Sequence, residues 1–469
     1  MQKKYDVIIV GAGPAGIFAA LELAEVEGLE VLLLEKGKDI DARICPAWES
    51  SYACHSCSTC HRVSGLGGAG AFSDGKLTLS SKVGGYLTEY VGEEEANELI
   101  SYVDSVYQRF GGTDKLYGVG DKVEGLRRRA SLADLRLVPV QVRHLGTERS
   151  RAMLRSLRDY LSPRLDIVVG KEVDAIVASR GVVKGVKIKG GPQIRGKYVI
   201  VAPGREGSDW LVGEAEKLHL VLNTNPVDVG VRVEVPSIVL EELTSTLYES
   251  KLEFYSNSFD DRIRTFCMCP SGEVVTESTG GDDPVITVNG HSYAGLKSNN
   301  TNFALLVSTS FTEPFREPIA YGKYLARLAN ILSGGVLVQR LGDLESGHRS
   351  TPERMQRGVV EPTLKSATPG DLSFVLPYRH LTGIVEMLHA MDKLAPGVAS
   401  RHTLLYGVEV KFYSYRPTLT KNMETEVANL FAIGDGAGVS RGLVQASASG
   451  IVAAREILRK QGLYSDAAS

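Results

Sequence analysis

The sequence predicts an α/β protein whose main domain is assembled from segments far apart in the chain. Three patterns support this: strand, glycine turn, helix and strand over residues 5–35; hydrophobic runs between 166 and 203; and strand, turn and helix after residue 429. Residues 216–400 mix strand and helix patterns and indicate a second domain, also of mixed α/β structure.

The expected domain boundaries follow the points where these patterns start and stop. We expect a first domain of residues 1–80, 130–215 and 400–469, and a substrate or cap domain of residues 81–129 and 216–399. The chain would therefore leave the first domain and return to it.

Composition excludes several classes of function. The 469 residues carry a formal net charge of −3, which gives no whole-chain electrostatic support for binding nucleic acid or a membrane surface. No apolar stretch reaches the roughly 18 residues that a membrane span needs. We therefore expect a soluble cytoplasmic protein with a small-molecule substrate and no membrane partner, and the charge argues against nucleic acid.

The N-terminal elements can be assigned in order. The apolar run YDVIIV at 5–10 is strand-like, the residues after the GAGPAG turn at 11–16 have helical spacing, and LEVLLL at 29–34 is a second buried strand that ends at Glu35. Further along, residues 92–110 have acids in the first turn and apolar residues at helical spacing, and Thr147 opens a second amphipathic helix. The runs between 166 and 203 are typical of a β-meander.

The glycine turn has the spacing of a Rossmann-type dinucleotide site. Gly11 allows the tight turn, Gly13 lets the backbone approach a pyrophosphate, and Gly16 allows close packing of helix and strand. The N-terminus of the helix then faces the phosphates. Glu35 stands where an acidic residue binds the adenosine ribose hydroxyls. Gly65 to Gly70 repeat the spacing, but the preceding CHRVS is no hydrophobic strand, so we do not count a second nucleotide site.

Other motifs carry a resemblance to a known family. The runs VIVAPG at 199–204 and LFAIGDGAG at 430–438 resemble the FAD-binding half of the glutathione-reductase-like flavoproteins. With GLGGAGAFSDGKLTL at 65–79, VRHLGTE at 142–148 and FCMCPSGEVV at 266–275, the chain is similar to a family of uncharacterised FAD-dependent dehydrogenases. That resemblance implies a non-covalently bound FAD, with Asp435 accepting a hydrogen bond from its ribitol.

Motif and resemblance together give a set of expected cofactor-binding residues spread over six segments. The six segments are 11–16, 35–36, 67–76, 173, 202–204 and 434–445, and the residues are Gly11, Gly13, Pro14, Ala15, Gly16, Glu35, Lys36, Gly67, Gly68, Ser73, Asp74, Lys76, Val173, Ala202, Gly204, Gly434, Asp435, Gly442, Leu443, Val444 and Gln445.

The expected chemistry is hydride transfer at flavin N5 to or from a small organic substrate. Lys76, His144 and His291 are the candidates for catalytic acid or base, although a structural ion pair is an equal alternative for Lys76. No second complete nicotinamide fingerprint follows residue 80. Electrons would come from NAD(P)H visiting the substrate cleft or from a redox protein partner.

Four cysteines cluster in a segment without periodicity. Cys45, Cys54, Cys57 and Cys60 are compatible with a [4Fe–4S] cluster, with a structural zinc site that recruits a neighbouring histidine, or with unligated thiols. Cys267 and Cys269 lie two apart in a strand-like run, and buried unreactive thiols are the preferred interpretation there, with flavin or substrate contact as the alternative.

Two other functions are compatible with these motifs. One is an electron-transfer flavoprotein whose cysteine segment relays electrons through an iron–sulfur centre. The other is a flavin-dependent RNA-modifying protein of the folate-using kind, for which a continuous basic face is expected and the net charge of −3 is unfavourable.

Overall fold

The computed structural model describes residues 4–45, 57–73, 75–278, 284–292, 297–309, 317–412 and 415–464. The chain divides into two compact units. The first unit comprises Met1–Lys115, Arg143–Asn225 and Ser414–Ser469, and the second comprises Leu116–Val142 and Pro226–Tyr413. Residues 81–115 thus belong to the first unit, whereas the sequence placed them in the cap domain, and residues 130–142 belong to the second.

The strands in chain order are β1 (Lys4–Val10), β2 (Val31–Glu35), β3 (Lys76–Leu79), β4 (Arg136–Leu137), β5 (Gln141–His144), β6 (Asp166–Val169), β7 (Val173–Ser179), β8 (Val182–Ile188), β9 (Gln193–Val201), β10 (Leu222–Asn223), β11 (Val227–Pro236), β12 (Leu252–Tyr255), β13 (Arg262–Cys269), β14 (Glu273–Ser278), β15 (Ile286–His291), β16 (Asn300–Thr309), β17 (Leu337–Arg340), β18 (Thr368–Pro369), β19 (Leu404–Lys411), β20 (Arg416–Pro417) and β21 (Leu430–Ala432).

The α-helices are α1 (Pro14–Ala24), α2 (Leu87–Val91), α3 (Glu93–Arg109), α4 (Asp121–Leu132), α5 (Gly146–Leu161), α6 (Ser208–Lys217), α7 (Ser237–Leu247), α8 (Pro318–Ser333), α9 (Leu341–Glu345), α10 (Pro352–Gln356), α11 (Tyr378–Leu394) and α12 (Leu443–Lys460). In the part of the chain that the structure describes, no helix is both long enough and apolar enough to cross a lipid bilayer.

The first unit is built on a mixed sheet that confirms the predicted fold class. Strands β6, β2, β1 and β9 run parallel in that order, and β21 pairs in parallel with the C-terminal half of β9. Strands β7, β8 and β9 form an antiparallel meander. The sequence placed β6 in that meander. In the structure β6 instead pairs in parallel with β2 and forms the edge of the parallel set.

Residues 81–115 join the first unit because α3 packs on α12. The apolar stripe of α3 is buried, and the Tyr107 hydroxyl lies 2.9 Å from Ser447 Oγ. The Tyr107 ring also meets the Phe18 ring of α1 edge to face, with centroids 4.9 Å apart. Helices α1 and α12 approach so closely that a Cβ at Gly450 would lie 2.1 Å from the Ala15 carbonyl oxygen.

The second unit contains an eight-stranded sheet in the order β18, β17, β19, β11, β16, β13, β12, β4. Strand β11 reads VDVGVRVEVP, and its valines face a buried apolar core that helices α7, α8 and α11 complete. The alternate side chains face the other way, yet Asp228, Arg232 and Glu234 are also buried. Strands β14 and β15 pair as a separate antiparallel ladder.

We expect Gly450→Ala to destabilise the first unit by about 1–3 kcal/mol, because the added methyl group would force α1 and α12 apart. Gly213→Ala in α6 is the matched control, since nothing lies within 4 Å of the added Cβ there and alanine favours helix by about 0.5–1 kcal/mol. Urea unfolding followed by circular dichroism measures both. Equal stability of the two variants would contradict the close helix contact.

We also expect a pH-dependent stability of the second unit from His380. Burial lowers the pKa of His380 to about 4, from 6.5 in the unfolded chain. As pH falls from about 6.5 towards 4, the unfolded chain takes up a proton that the folded chain resists, so stability is lost in that window. Between pH 7 and pH 5 the free energy of unfolding should fall by about 1–2 kcal/mol more in the parent protein than in the His380→Gln variant. His348→Gln, at an exposed histidine, should leave the pH dependence unchanged.

Candidate functional site

The GAGPAG turn joins β1 to α1 and leaves no room for side chains at two positions. Gly11 has a φ of +103°, and a Cβ there would lie 2.1 Å from the Ala202 carbonyl oxygen at the end of β9. A Cβ at Gly16 would lie 1.9 Å from the Gly11 carbonyl oxygen. Gly13 precedes α1 and differs, because its Cβ direction is open and the nearest atom, the Gly68 Cα, is 4.0 Å away. The turn thus presents bare backbone at the start of α1.

The carboxylate of Glu35 is buried beside this turn at the end of β2. Its Oε2 accepts a hydrogen bond from the Ala12 N–H at 2.9 Å. Its Oε1 accepts two, from the Gly37 N–H at 2.8 Å and from the Gly65 N–H at 2.9 Å. A carboxylate oxygen can accept two hydrogen bonds, so Oε2 retains one acceptor position.

The segment from Gly65 to Ser73 packs against the turn, although it follows no strand. The Gly67 N–H donates to the Ala12 carbonyl oxygen at 2.8 Å, and a Cβ at Gly68 would lie 3.1 Å from the Gly13 Cα. Ser73 Oγ donates to the Gly70 carbonyl oxygen at 2.9 Å. Asp74 lies outside the described residues. The structure therefore brings the second glycine-rich run to the first one, as part of the same site.

The C-terminal turn after β21 reaches the start of α1 as well. A Cβ at Gly434 would lie 3.0 Å from the Ala15 Cβ, and the Gly434 N–H donates to Ser449 Oγ at 3.1 Å. The Asp435 carboxylate accepts a hydrogen bond from Ser440 Oγ at 2.6 Å, and its other oxygen lies 3.4 Å from Arg205 Nε. The turns from the two ends of the chain therefore meet at one helix N-terminus.

Four residues at the start of α12 were expected to line the cofactor, and they take different positions. Gly442 caps the helix, Leu443 is half-buried and Val444 is buried. Gln445 is also buried, and its amide group donates to the carbonyl oxygens of Ser80, Ser81 and Val83 at 3.0–3.3 Å. Its side-chain oxygen accepts from the Leu87 N–H at 3.3 Å. The Gln445 side chain thus holds the 80–87 segment.

The remaining expected residues lie directly after β2, directly after β9 and at the start of β7. The Ala202 N–H donates to the Val10 carbonyl oxygen at 2.8 Å, and Gly204 has a φ of +64° in the turn that follows. Val173 is buried at the start of β7. Lys36 forms an ion pair with Glu206, which also accepts a hydrogen bond from Ser64 Oγ at 2.6 Å.

Two of the three candidate catalytic residues lie on the paired strands β3 and β5, and the third belongs to the second unit. Lys76 begins β3 and His144 ends β5, and both are half-buried. The Leu145 N–H donates to the Gly75 carbonyl oxygen at 3.0 Å, so the backbone segments that carry Lys76 and His144 are adjacent. His291 ends β15 in the second unit.

Sequence reasoning missed Arg43, a fully buried residue that fixes the segment after the cysteines. Its guanidinium donates to the carbonyl oxygens of His61, Arg62 and Leu66 at 2.7–3.0 Å. Burial lowers the pKa of Arg43 to about 10, so the group is still charged at neutral pH. Its partners are backbone carbonyl groups in an aperiodic segment, and no sequence pattern marks such groups.

The predicted four-cysteine site stays a prediction. Cys45 and Cys60 are half-buried and Cys57 is exposed, while Cys54 lies outside the described residues. Within the ranges that the structure describes, no group of three or more His, Cys, Asp or Glu side chains is arranged to hold a metal ion.

An apolar cavity borders this site in the first unit. Its lining includes Pro14, Gly67, Gly70 and Leu443 together with side chains of α1 and α5.

Sequence models of three known families match parts of the chain. The FAD binding domain matches residues 6–50, which contain the glycine turn and Glu35. The C-terminal domain-like model of FAD-dependent proteins matches residues 226–412. The model of glucose inhibited division protein A matches residues 367–462, which contain Asp435 and the start of α12.

Two relatives illustrate how far the similarity extends. An uncharacterized protein of Clostridium beijerinckii is 26% identical, over 97% of this chain and 80% of that protein. A digeranylgeranylglycerophospholipid reductase of Methanosarcina mazei is 58% identical over 40 residues, which are 8% of this chain and 10% of the reductase.

Solved structures are similar at low identity. An L-proline dehydrogenase from P. horikoshii is 11% identical with a TM-score of 0.43, covering 98% of this chain and 95% of that one. A formate oxidase of Aspergillus oryzae is 12% identical with a TM-score of 0.46, covering 99% and 100%. The parallel sheet, the glycine turn and the matching models of FAD-binding and FAD-dependent proteins show that this chain carries an FAD-binding domain and is a flavoprotein.

Proposed function

We propose that this chain is a dehydrogenase or reductase that transfers hydride between the N5 atom of FAD and a small organic substrate. The observation that carries the proposal is the meeting of the Gly11–Gly16 turn with the Gly434–Asp435 turn at the N-terminus of α1. This arrangement supplies backbone donors and a carboxylate from the two ends of the chain to one elongated ligand.

The residues present fit the adenosine diphosphate half of FAD. Gly13 leaves its Cβ direction open, and a side chain there would fill the space where a pyrophosphate approaches the N–H groups of α1. Gly67 and Gly68 give a second stretch of backbone without side chains facing Gly13. Glu35 Oε2 keeps one acceptor position, which suits a ribose hydroxyl.

The flavin half would be held at the C-terminal turn. Asp435 is oriented by Ser440 and is only partly exposed, so its carboxylate can accept a ribitol hydroxyl with little loss of conformational entropy. Helix α12 begins at Leu443 after its cap residue Gly442, and the first N–H groups of a helix, which have no partner within it, stabilise negative charge placed before them. FAD, when bound, supplies a ring that accepts or gives hydride at N5.

Proton transfer is assigned to residues of the first unit. His144 and Lys76 lie on adjacent backbone segments, and imidazole and amine groups can act as general acids or bases. His291 lies in the second unit and is retained as a third candidate for this role. The electron donor would be NAD(P)H or a redox protein. The two alternatives, an electron-transfer flavoprotein and a flavin-dependent RNA-modifying protein, gain no support from the matching families.

Glu35→Gln should raise the dissociation constant of FAD about 10- to 100-fold. The amide NH₂ would face a backbone N–H donor, so at least one of the three hydrogen bonds to Glu35 is lost near the cofactor. Fluorescence titration of the apoprotein with FAD measures the change. Glu172→Gln, which alters an exposed ion pair with Lys189 in the same unit, should bind FAD as tightly as the parent chain. A folded Glu35→Gln variant with unchanged affinity would contradict this role.

His144→Gln should slow reduction or substrate-dependent reoxidation of the bound flavin by about 100-fold, because one proton transfer loses its acid or base. Anaerobic stopped-flow absorbance near 450 nm, with NADH, NADPH and a panel of small substrates, follows the flavin directly. His219→Gln changes an exposed histidine and should react at the parent rate. The parent chain, His144→Gln and His219→Gln should all bind FAD with the same affinity. A chain that binds FAD but exchanges hydride with no donor or substrate would overturn the proposed function.

A further inference from the structure

A fully buried arginine in the second unit joins two cysteines on the polar side of the sheet. Arg232 Nη2 donates to the Cys267 carbonyl oxygen at 2.6 Å and lies 3.3 Å from the Cys269 sulfur. Its Nε donates to Asn302 Oδ1 at 2.8 Å. The guanidinium reaches Glu409 only at 3.4 Å, from Nη1 to both carboxylate oxygens. The sulfur contact is therefore as close as the carboxylate contact.

Arg232 shares its charged surroundings with a second buried cation, Lys411. Lys411 is buried and lies closer to Glu409 than Arg232 does, with Nζ 3.1 Å from the carboxylate. Glu277 lies 3.6 Å from Lys411, but its side chain is 45% exposed. Arg232 and Lys411 therefore both contact one buried carboxylate, that of Glu409, and Lys411 also contacts the half-exposed carboxylate of Glu277. A buried cation is stabilised by each counter-charge near it, and a thiolate on the neighbouring sulfur would be a further counter-charge for Arg232.

The backbone at the cysteines is irregular. Cys267 has a φ of +45°, which non-glycine residues rarely adopt, and the pairing register of β13 with β16 shifts between Phe266 and Cys269. Such conformations persist where surrounding contacts hold them, and they cluster at functional sites. Cys269 is buried, whereas Cys267 is half-buried and so remains within reach of a small reagent.

Further cations surround the residue that precedes Cys267. The Phe266 ring centroid lies 5.4 Å from Lys251 Nζ, 5.0 Å from the Arg264 guanidinium carbon and 6.0 Å from Lys411 Nζ. Lys251 is paired with Glu249 and Arg264 with Asp228. Lys411 is the cation common to this group and to the Arg232 cluster.

We propose that Cys267 and Cys269 form a reactive thiol site in which Arg232 and Lys411 stabilise a thiolate, and that Cys267 is the sulfur that attacks small, soft electrophiles, with anionic ones favoured. The inference does not rest on the proposed flavin chemistry. With an iodoacetyl reagent, the thiolate lone pair forms the new S–C bond, the C–I bond breaks, and iodide leaves with its electron pair. No oxidant or other reactant is needed.

The test compares two reagents that differ in charge. Full-length protein at pH 7 is treated with iodoacetate or with iodoacetamide, and modification of Cys267 is timed by peptide mass spectrometry. The ratio of the two rates cancels the thiolate fraction and most of the steric access, and reports the local electrostatic field. We expect that ratio to be at least about fivefold higher at Cys267 than for free 2-mercaptoethanol.

Variants of charged residues locate the source of the field. Lys411→Gln should lower the ratio at Cys267 at least about threefold, while Lys411→Arg keeps it. Lys365→Gln, an exposed lysine of the same unit, is the matched control and should leave it unchanged. Glu277→Gln removes a half-exposed carboxylate near Lys411 and should therefore raise the ratio. If Lys411→Gln does not fold, the Glu277→Gln variant tests the same field.

Two results would overturn the proposal. One is a Cys267 that stays unmodified while 2-mercaptoethanol is consumed under the same conditions. The other is a ratio equal to that of 2-mercaptoethanol and unmoved by Lys411→Gln and Glu277→Gln. Flavin absorbance recorded on the same samples keeps this outcome separate from any failure of FAD binding.

Discussion

Three backbone N–H groups from separate parts of the chain converge on the Glu35 carboxylate, and the geometry of the nucleotide site depends on that convergence. One belongs to the glycine turn at Ala12, one to the end of β2 at Gly37, and one to the second glycine-rich run at Gly65. Hydrogen bonds to a charged acceptor in a buried setting are stronger than those between neutral groups. The carboxylate that we assign to the ribose therefore also determines where the backbone donors around the cofactor lie.

Close backbone contacts determine where the helices α1 and α12 lie. Gly16 lets α1 start directly against the turn, and Gly450 lets α12 cross α1 within contact distance of the Ala15 carbonyl oxygen. The two turns that we assign to the two halves of the cofactor are thus held by contacts that a single methyl group would break. Interiors packed at this density resist even one added carbon.

The two sides of the eight-stranded sheet in the second unit differ in polarity. One side of β11 presents valines to an apolar core, and the other presents charged groups that are equally buried. Glu234 on that side is fully satisfied by Thr363, Tyr406 and Asn300. Arg232 instead divides its donors among an amide oxygen, a backbone carbonyl, a distant carboxylate and a sulfur.

Local periodicity determined a large part of this protein from sequence alone: the strand, turn and helix of residues 5–35, the two helices after residues 92 and 147, and the strand, turn and helix at the C-terminus. These succeed because repeats of two and 3.6 residues and glycine spacing are properties of neighbouring residues. Tertiary structure alone decided that residues 81–115 join the first unit, that Gln445 holds the 80–87 segment, and that Arg232 reaches Cys269. In each case the partners lie tens to hundreds of positions apart. Many of the groups that meet are backbone N–H and C=O groups, which every residue carries and which therefore leave no mark in the sequence.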